Sequence, residues 1–307
     1  MIRISYLPDA RYAEASADDT ILQAALRSGI RLTHACGSNA RCSTCRVAIL
    51  EGLDNCTPRS EAEQEIADHL QFKPMIRLAC QTQATGPMTV RRLVLDDEDE
   101  ELAVESMDDP VVEAVGEERQ VAILFVDIRG FTAFAERLLP YDVIHALNRY
   151  YHGIGQIIHR HGGVIDNYMG DGILTVFGLE ETERAVSRAL QAGLDILQAV
   201  EAMKPYFQAL HGRSFDVGIG LHYGAVVVGS IGWGAYRRRT VIGDAVNFAS
   251  RVEAANKTVG TNFLISDDAY RRAGHEVEVN QCPPWEIRGK TGVYQLYEVV
   301  GAKAHPT

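Results

Sequence analysis

Between residues 96 and 118 the chain reads DDEDEELAVESMDDPVVEAVGEE, twelve acidic residues with no lysine or arginine. So dense a run of one charge repels itself and carries too little apolar surface to join a packed core. It therefore reads as an extended, solvated connector that cuts the chain in two. The net charge of the whole is −11 and this segment alone holds −12, which leaves +1 for the other 284 residues. The acidity thus marks a connector and does not describe the folded parts. The expected organisation is a first domain over 1–92, a linker over 93–117 and a second domain over 118–300.

Hydrophobic content of 46% and charged content of 23% are those of a soluble globular protein. No apolar run approaches the ~18 residues of a membrane span. The opening MIRISYLPDARY lacks a basic-then-apolar leader and reads as a strand, so the expected location is the cytoplasm. GIGLHYG lacks the third glycine of a dinucleotide fingerprint, no G-x-x-x-x-G-K-[ST] loop occurs, and no motif supports nucleic-acid binding. The RRR tract at 237–239 reads as a solvated loop that could feel a triphosphate.

The connector also divides the cysteines. Cys36, Cys42, Cys45, Cys56 and Cys80 precede it and only Cys282 follows. In HACGSNARCSTCRV three of them are spaced C-x5-C-x2-C, and Cys80 follows in RLACQT. Three thiolates on one loop and a distant fourth suit a [2Fe–2S] cluster, in which each iron takes two cysteines. Zinc also accepts four thiolates, but its structural sites usually pair two short C-x2-C knuckles and only one is present. Around these cysteines the strand-like runs IRISY, CRVAIL and MTVRRLVL and the helical pieces TILQAALRSG and SEAEQEIADHL outline a small β-rich domain.

On these residues the first domain resembles [2Fe–2S] ferredoxins of the plant and adrenodoxin type, the five-residue first gap being nearer the adrenodoxin pattern. The resemblance implies a β-grasp fold, Cys36, Cys42, Cys45 and Cys80 as cluster ligands, and an electron-donor protein as a partner. Cys56 falls outside the pattern and reads as a partly buried free thiol.

After the connector QVAILFVDI is a continuously apolar, buried strand that ends on a charge, Asp127. Helices are predicted near 132–139 and 142–161, then a hairpin with strands at 164–169 and 173–177, then a helix over TERAVSRALQAGLDILQAVEAM. FDVGIGLHY and AVVVGSI read as two strands paired across a Tyr-Gly turn. DAVNFASRVEAAN is a further helix, and FLISD, VEVN and VYQLYEVV supply the last strands. The order gives an α+β sandwich of helices on a largely antiparallel sheet.

In IDNYMGDG the Asp-Gly pair predicts a tight turn with both residues at positive φ. If that hairpin pairs beside the first strand, Asp171 and Asp127 meet at one edge. Two carboxylates with room for phosphate and water are a common holder of Mg²⁺, and two such ions can clamp both oxygens of a phosphoryl displacement. Asn247 and Arg251, one helical turn apart, share a face and supply an amide and a guanidinium. Each feature alone also suits a plain turn, strand end or helix surface.

The three blocks LFVDIRGFTAFAE, MGDGILTVFG and TVIGDAVNFASRVEAAN resemble, in order, the catalytic domain of class III nucleotidyl cyclases. The resemblance implies a ferredoxin-like α/β sandwich acting as a head-to-tail homodimer. Asp127, Asp171 and the Ile128 carbonyl of one subunit would hold two Mg²⁺ or Mn²⁺ ions. From the partner, Asn247 would orient the ribose and Arg251 would stabilise the transition state. Amides through Gly130, Phe131 and Thr132 would cradle phosphates, and Arg288 or Lys290 would reach the terminal phosphate. Adenylyl cyclases of this class usually carry lysine where this chain has Asn167 and aspartate or threonine at Thr240, a pair that reads the purine edge. Guanylyl cyclases carry glutamate at the first position. Thr240 fits the adenylyl pattern and Asn167 fits neither, so ATP is the expected substrate and the base rests on Asn167. The rival expectations are an electron-transfer protein whose second domain only binds nucleotide or dimerises, and a cyclase of GTP or a pyrimidine nucleotide.

Overall fold

In the computed structural model the alternation of IRISYL and RYAEA folds as an antiparallel hairpin, β1 (Ile2–Leu7) with β2 (Arg11–Ala15), in register from Ile2↔Ala15 to Tyr6↔Arg11. Described residues are 1–93, 117–233, 236–286 and 292–303, in two units that divide at Glu117 and Glu118. The connector from 94 to 116, with Arg288 and Lys290, lies outside them.

In the first unit α1 (Ile21–Arg27) follows the hairpin, entered through a capping box between Thr20 and Gln23. Then come β3 (Arg46–Glu51), α2 (Glu61–His69), β4 (Ile76–Leu78) and β5 (Met88–Arg92). The strand order is β2-β1-β5-β3-β4, with β5 parallel to β1. That is the expected β-grasp. Ile4, Tyr6, Val47 and Val90 from the sheet and Ile21, Leu22 and Ala25 from α1 form its buried core.

In the second unit β6 (Glu117–Ile128) is an interior strand, between β9 and β8 in the sheet. Its apolar run is buried on both faces, Ala122, Leu124 and Val126 on one and Val121, Ile123 and Phe125 on the other. Short α3 (Phe131–Ala135) and long α4 (Pro140–Arg160) lead to the hairpin β7 (Gly163–Met169) and β8 (Gly172–Phe177). Then follow α5 (Ala185–His211), β9 (Val217–Ile231), β10 (Arg238–Ile242), α6 (Asp244–Val259), β11 (Phe263–Ser266) and α7 (Asp267–Ala273). Strands β12 (Val277–Gln281), β13 (Trp285–Glu286), β14 (Val293–Tyr294) and β15 (Leu296–Ala302) complete it. The main sheet runs β12-β15-β11-β9-β6-β8-β7, with β10 paired to the far half of β9. Residues of α4, α5 and α7 bury one face, and Ala245 and Ala249 of α6 pack on the other.

One expectation fails. FDVGIGLHY and AVVVGSI are not a hairpin but one continuous strand, β9. A Cβ at Gly224 would stand 2.8 Å from Ala245 Cβ and 2.9 Å from His222 Nε2, so this glycine serves close packing beneath α6 and makes no turn. Among the described residues no helix is long and apolar enough to cross a membrane.

Candidate functional sites

The loop from α1 to β3 carries Cys36, Cys42 and Cys45, and Cys80 stands two residues past β4. Cys45 and Cys80 are buried with their Sγ atoms 3.4 Å apart, and Thr44 Oγ1 lies 3.2 Å from Cys42 Sγ. Gly37, Ser38 and Ala40 adopt left-handed backbone, a pattern that makes a concavity of amides suited to anions. Burial alone would raise the Cys36 thiol, yet the N–H groups of Arg41, Asn39 and Cys42 and the Cys42 side chain bring it below its ordinary value. Cys45 donates to Cys80, which draws Cys80 down and, with burial, pushes Cys45 up. Backbone amides meet the sulfurs of Cys36, Cys45 and Cys80 and a hydroxyl meets that of Cys42, a donor chemistry that suits a [2Fe–2S] cluster with two cysteines on each iron. Cys56 stays outside the set, half-buried, its thiol raised by burial.

Behind this loop sits a buried ion pair. Glu63 of α2 accepts from Arg77 Nε and Nη2, both at 2.9 Å, and from the Leu78 N–H at 2.8 Å. Both side chains are almost fully enclosed. The pair ties α2 to the strand that presents Cys80.

In the second unit the structure brings Asp127 and Asp171 together. Asp127 is the penultimate residue of β6, and Asp171 stands on the tip of the β7–β8 hairpin. The hairpin pairs beside β6 from Ala122↔Phe177 to Val126↔Ile173. The tip itself differs from expectation: Met169 pairs with Gly172, so the turn residues are Gly170 and Asp171, and only Gly170 has positive φ (68°). Gly172 serves another purpose, since a Cβ there would lie 3.2 Å from Asp127 Oδ1. Tyr151 of α4 anchors the tip by donating to the Gly170 carbonyl. Burial and then the charge of Asp127 raise the Asp171 carboxyl above its ordinary range. Two carboxylates that resist joint ionisation are a donor set that a divalent cation would relieve. Beyond them Ile128 is buried, and Gly130, in left-handed backbone, opens α3 with Phe131 and Thr132 in its first turn. Such first-turn amides have no intrahelical acceptor.

The sequence reading missed the groups that back this pair. Lys257 Nζ of α6 lies 3.6 Å from Asp127 Oδ2. Glu253, also on α6, is buried, and its Oε1 has no hydrogen-bond partner among the described residues. Burial first and the Asp127 charge second push its carboxyl up to about 7. The signal available was its place on the apolar face, among Ala249, Val252 and Asn256. A carboxyl whose folded value lies above its unfolded 4.5 contributes stability that is complete below that value and is lost as pH rises through about 7. Metal-free protein should therefore lose thermal stability between about pH 4.5 and pH 7 by scanning fluorimetry, and Glu253→Gln should flatten that slope. An unchanged slope in the variant would assign the titration elsewhere.

Asn247 and Arg251 do not join the aspartates of their own chain. Lys257, six residues past Arg251 and ten past Asn247, is the α6 residue that reaches Asp127. At ~1.5 Å rise per residue, Arg251 and Asn247 stand about 9 and about 15 Å further along the helix axis. Among the described residues neither bonds either aspartate.

Asn167 and Thr240, by contrast, are neighbours within one chain. The Thr240 hydroxyl donates to Asp166 Oδ2 at 2.7 Å, and the Val241 N–H donates to Asp166 Oδ1 at 3.1 Å. Arg238 Nη1 donates to Asn167 Oδ1 at 2.9 Å. Arg238 and Arg239 thus lie on strand β10, not in the solvated loop expected of RRR. On the hairpin that β10 makes with β9, Ile231, Ile242, Trp233 (74% exposed) and Tyr236 (81%) are open apolar side chains.

Residues 114–300 match the family model for the adenylate and guanylate cyclase catalytic domain, and residues 6–85 match the 2Fe-2S iron-sulfur cluster binding domain. An adenylate cyclase of Anabaena cylindrica is 36% identical over 193 residues, 59% of this chain and 37% of that protein. The chain thus spans well under two thirds of the length of the curated relatives it matches. Among solved structures the guanylyl cyclase Cya2 aligns with TM-score 0.58 and 32% identity, over 61% of this chain and 95% of that one. The adenylyl cyclase CyaB from P. aeruginosa aligns with TM-score 0.57 and 25% identity, over 61% and 97%.

Proposed function

The chain belongs to the adenylate and guanylate cyclase family and carries a [2Fe–2S] domain ahead of its cyclase domain; from that premise we propose that it converts ATP to 3′,5′-cyclic AMP and pyrophosphate. The observation that carries the reading is the meeting of Asp127 and Asp171 at one end of the sheet, with no hydrogen bond or ion pair from Asn247 or Arg251 to either of them among the described residues. A second copy in head-to-tail arrangement supplies what one chain lacks. The open apolar residues of the β9–β10 hairpin give such an interface its desolvated centre.

In this reading Asp127, Asp171 and the Ile128 carbonyl would hold two divalent ions, which supply positive charge to the triphosphate and acidify the ribose 3′-hydroxyl. Asn167 and Thr240 read the base. Amides from Gly130 to Thr132 receive phosphate oxygens at a helix start. Asn247 of the partner orients the ribose, and Arg251 neutralises charge that grows on the α-phosphate as the 3′-oxygen bonds to phosphorus and pyrophosphate departs in line. Arg288 and Lys290 belong to the same proposal as contacts of the terminal phosphate.

The iron–sulfur unit, whose bound cluster supplies one-electron chemistry, is read as a regulator that an electron-donor protein or the cluster's redox state addresses. Product analysis with each nucleoside triphosphate and Mn²⁺ or Mg²⁺ tests the activity: cyclic AMP and pyrophosphate in equal amounts from ATP are expected. If no triphosphate yields a cyclic product while Asp171→Ala binds nucleotide like wild type, the enzyme reading fails. Equal turnover and equal dimer constants for anaerobically reduced and oxidised protein would remove redox control.

A further inference from the structure

Helix α6 ends beside the aspartates of its own chain, and its last turn is fixed there by a set of hydrogen bonds. Asn256, fully buried, donates from Nδ2 to the Ile219 carbonyl of β9 at 2.9 Å and accepts at Oδ1 from the Thr261 hydroxyl at 3.0 Å. Arg129, two residues past Asp127, donates to the Thr261 carbonyl. These bonds lace the end of α6 to β9 and to the segment that follows β6. Lys257, next to Asn256, therefore starts from a fixed point, and its Nζ stands 3.6 Å from Asp127 Oδ2. A lysine in the last turn of a helix also meets the negative end of the helix dipole.

The charges around this lysine are unequal. Asp127, Asp171 and Glu253 all feel it, and among the described residues it alone makes an ion pair with any of the three. Its side chain is 58% exposed, and an ammonium on a flexible stem can hold a carboxylate and then swing away when a stronger partner arrives. A divalent ion at Asp127 would compete with the ammonium for the same oxygen and be repelled by it. A triphosphate carries charge of the opposite sign and is drawn toward it. Gly130, Phe131 and Thr132, the proposed phosphate cradle, start three residues past Asp127, so both forces act at one place.

We propose that Lys257 is a positioning residue that holds Asp127 for the incoming ions and makes their binding depend on the triphosphate. The inference rests on the reading of Asp127 and Asp171 as ligands of divalent ions. Bare cations meet a carboxylate that is already neutralised and a positive charge beside it. Once the triphosphate adds its own negative charge, the ammonium is attracted to phosphate oxygens, leaves Asp127 and frees it to bind metal. The lysine thus lets the site fill with ions and nucleotide together, and it discourages ions that arrive alone.

The test uses the full chain with its cluster and compares wild type, Lys257→Gln and Lys257→Arg in two equilibria. One is Mn²⁺ without nucleotide, followed by the electron paramagnetic resonance of the free ion. Only the binding that Asp171→Ala abolishes is counted, which removes any contribution from the acidic connector. The other is 3′-deoxy-ATP without metal, followed by equilibrium dialysis; it lacks the nucleophile and cannot be cyclised. Lys257→Gln should tighten Mn²⁺ about fivefold and weaken 3′-deoxy-ATP about fivefold, since one charge is removed at contact range. Lys257→Arg should keep both near wild type. The opposite signs are the signature, because a lysine that merely supported the fold would weaken both on removal. Mn²⁺ affinity that is unchanged or weaker in Lys257→Gln, or nucleotide affinity that does not fall, overturns the assignment while the metal-ligand reading stands. If Asp171→Ala binds Mn²⁺ as wild type does, the metal-ligand reading falls and this assignment falls with it.

Discussion

An equal mixture of Asp127→Ala and Arg251→Ala proteins is expected to regain about a quarter of wild-type cyclase activity, although each alone is nearly inactive. The two aspartates lie at the end of β6 and on the β7–β8 tip, whereas Arg251 of α6 bonds neither of them in the same chain among the described residues. In a two-fold dimer each of the two sites takes its carboxylates from one copy and its arginine from the other. Removing one group that stabilises transition-state charge costs about 10²–10³ in rate, so each pure variant should fall by at least that much. Random pairing makes half the dimers mixed; in each, one site carries both lesions and the other carries none. Asp127→Ala mixed with Asp171→Ala must give no recovery, because both lesions fall on the same side. Initial rates of the mixtures decide it. No recovery in the first mixture would place the whole site within one chain, and recovery in the control would put the two aspartates on different copies; either result sinks the proposed arrangement.

The other large effect concerns the first unit. Glu63→Ala should destabilise the iron–sulfur unit by about 3–5 kcal/mol, since it leaves the Arg77 guanidinium buried without its counter-charge. A small domain holds only about 5–15 kcal/mol in all, so this is a large share. Four contacts go at once: two to Arg77, one to the Leu78 N–H, two residues before Cys80, and a longer one to the Thr82 hydroxyl. The strand that presents Cys80 then loses its tie to α2. Loss of visible cluster absorption at a lower denaturant concentration than in wild type is the expected readout. Glu63→Gln, which still accepts but lacks the charge, should fall between. A denaturation midpoint unmoved by Glu63→Ala would show that Arg77 finds other partners at no cost.

Much of this molecule was legible in its residues, for reasons that are local. Strand β6 announces itself because an apolar run buried on both faces has no polar side to alternate with, and Asp127 then interrupts it at the edge. The cysteine spacing declares its chemistry because a loop must bring three thiolates around one centre. The acidic run reads as a connector because like charges resist packing. The long β9 was misread because a glycine that makes a turn and a glycine that lets a helix approach look the same in one dimension. Gly224 is of the second kind.

What the sequence by itself determined is the set of groups: four cysteines, two aspartates, and an asparagine and arginine on one helix face. Spacing decides those, because it reports on neighbours a few residues apart, whereas Asn167 and Thr240 as a base-reading pair are what the resemblance implies. The tertiary structure alone decided their electrostatic states. Asp166 and Arg238 are 72 residues apart in the chain, and only β7 set beside β10 turns them onto Thr240 and Asn167. Glu253 acquires a carboxyl that titrates near 7 because helix α6 buries it beside Asp127, a charge 126 residues away. Hydrogen bonding and pKa depend on the partner across space, and no pattern along the chain reports that distance.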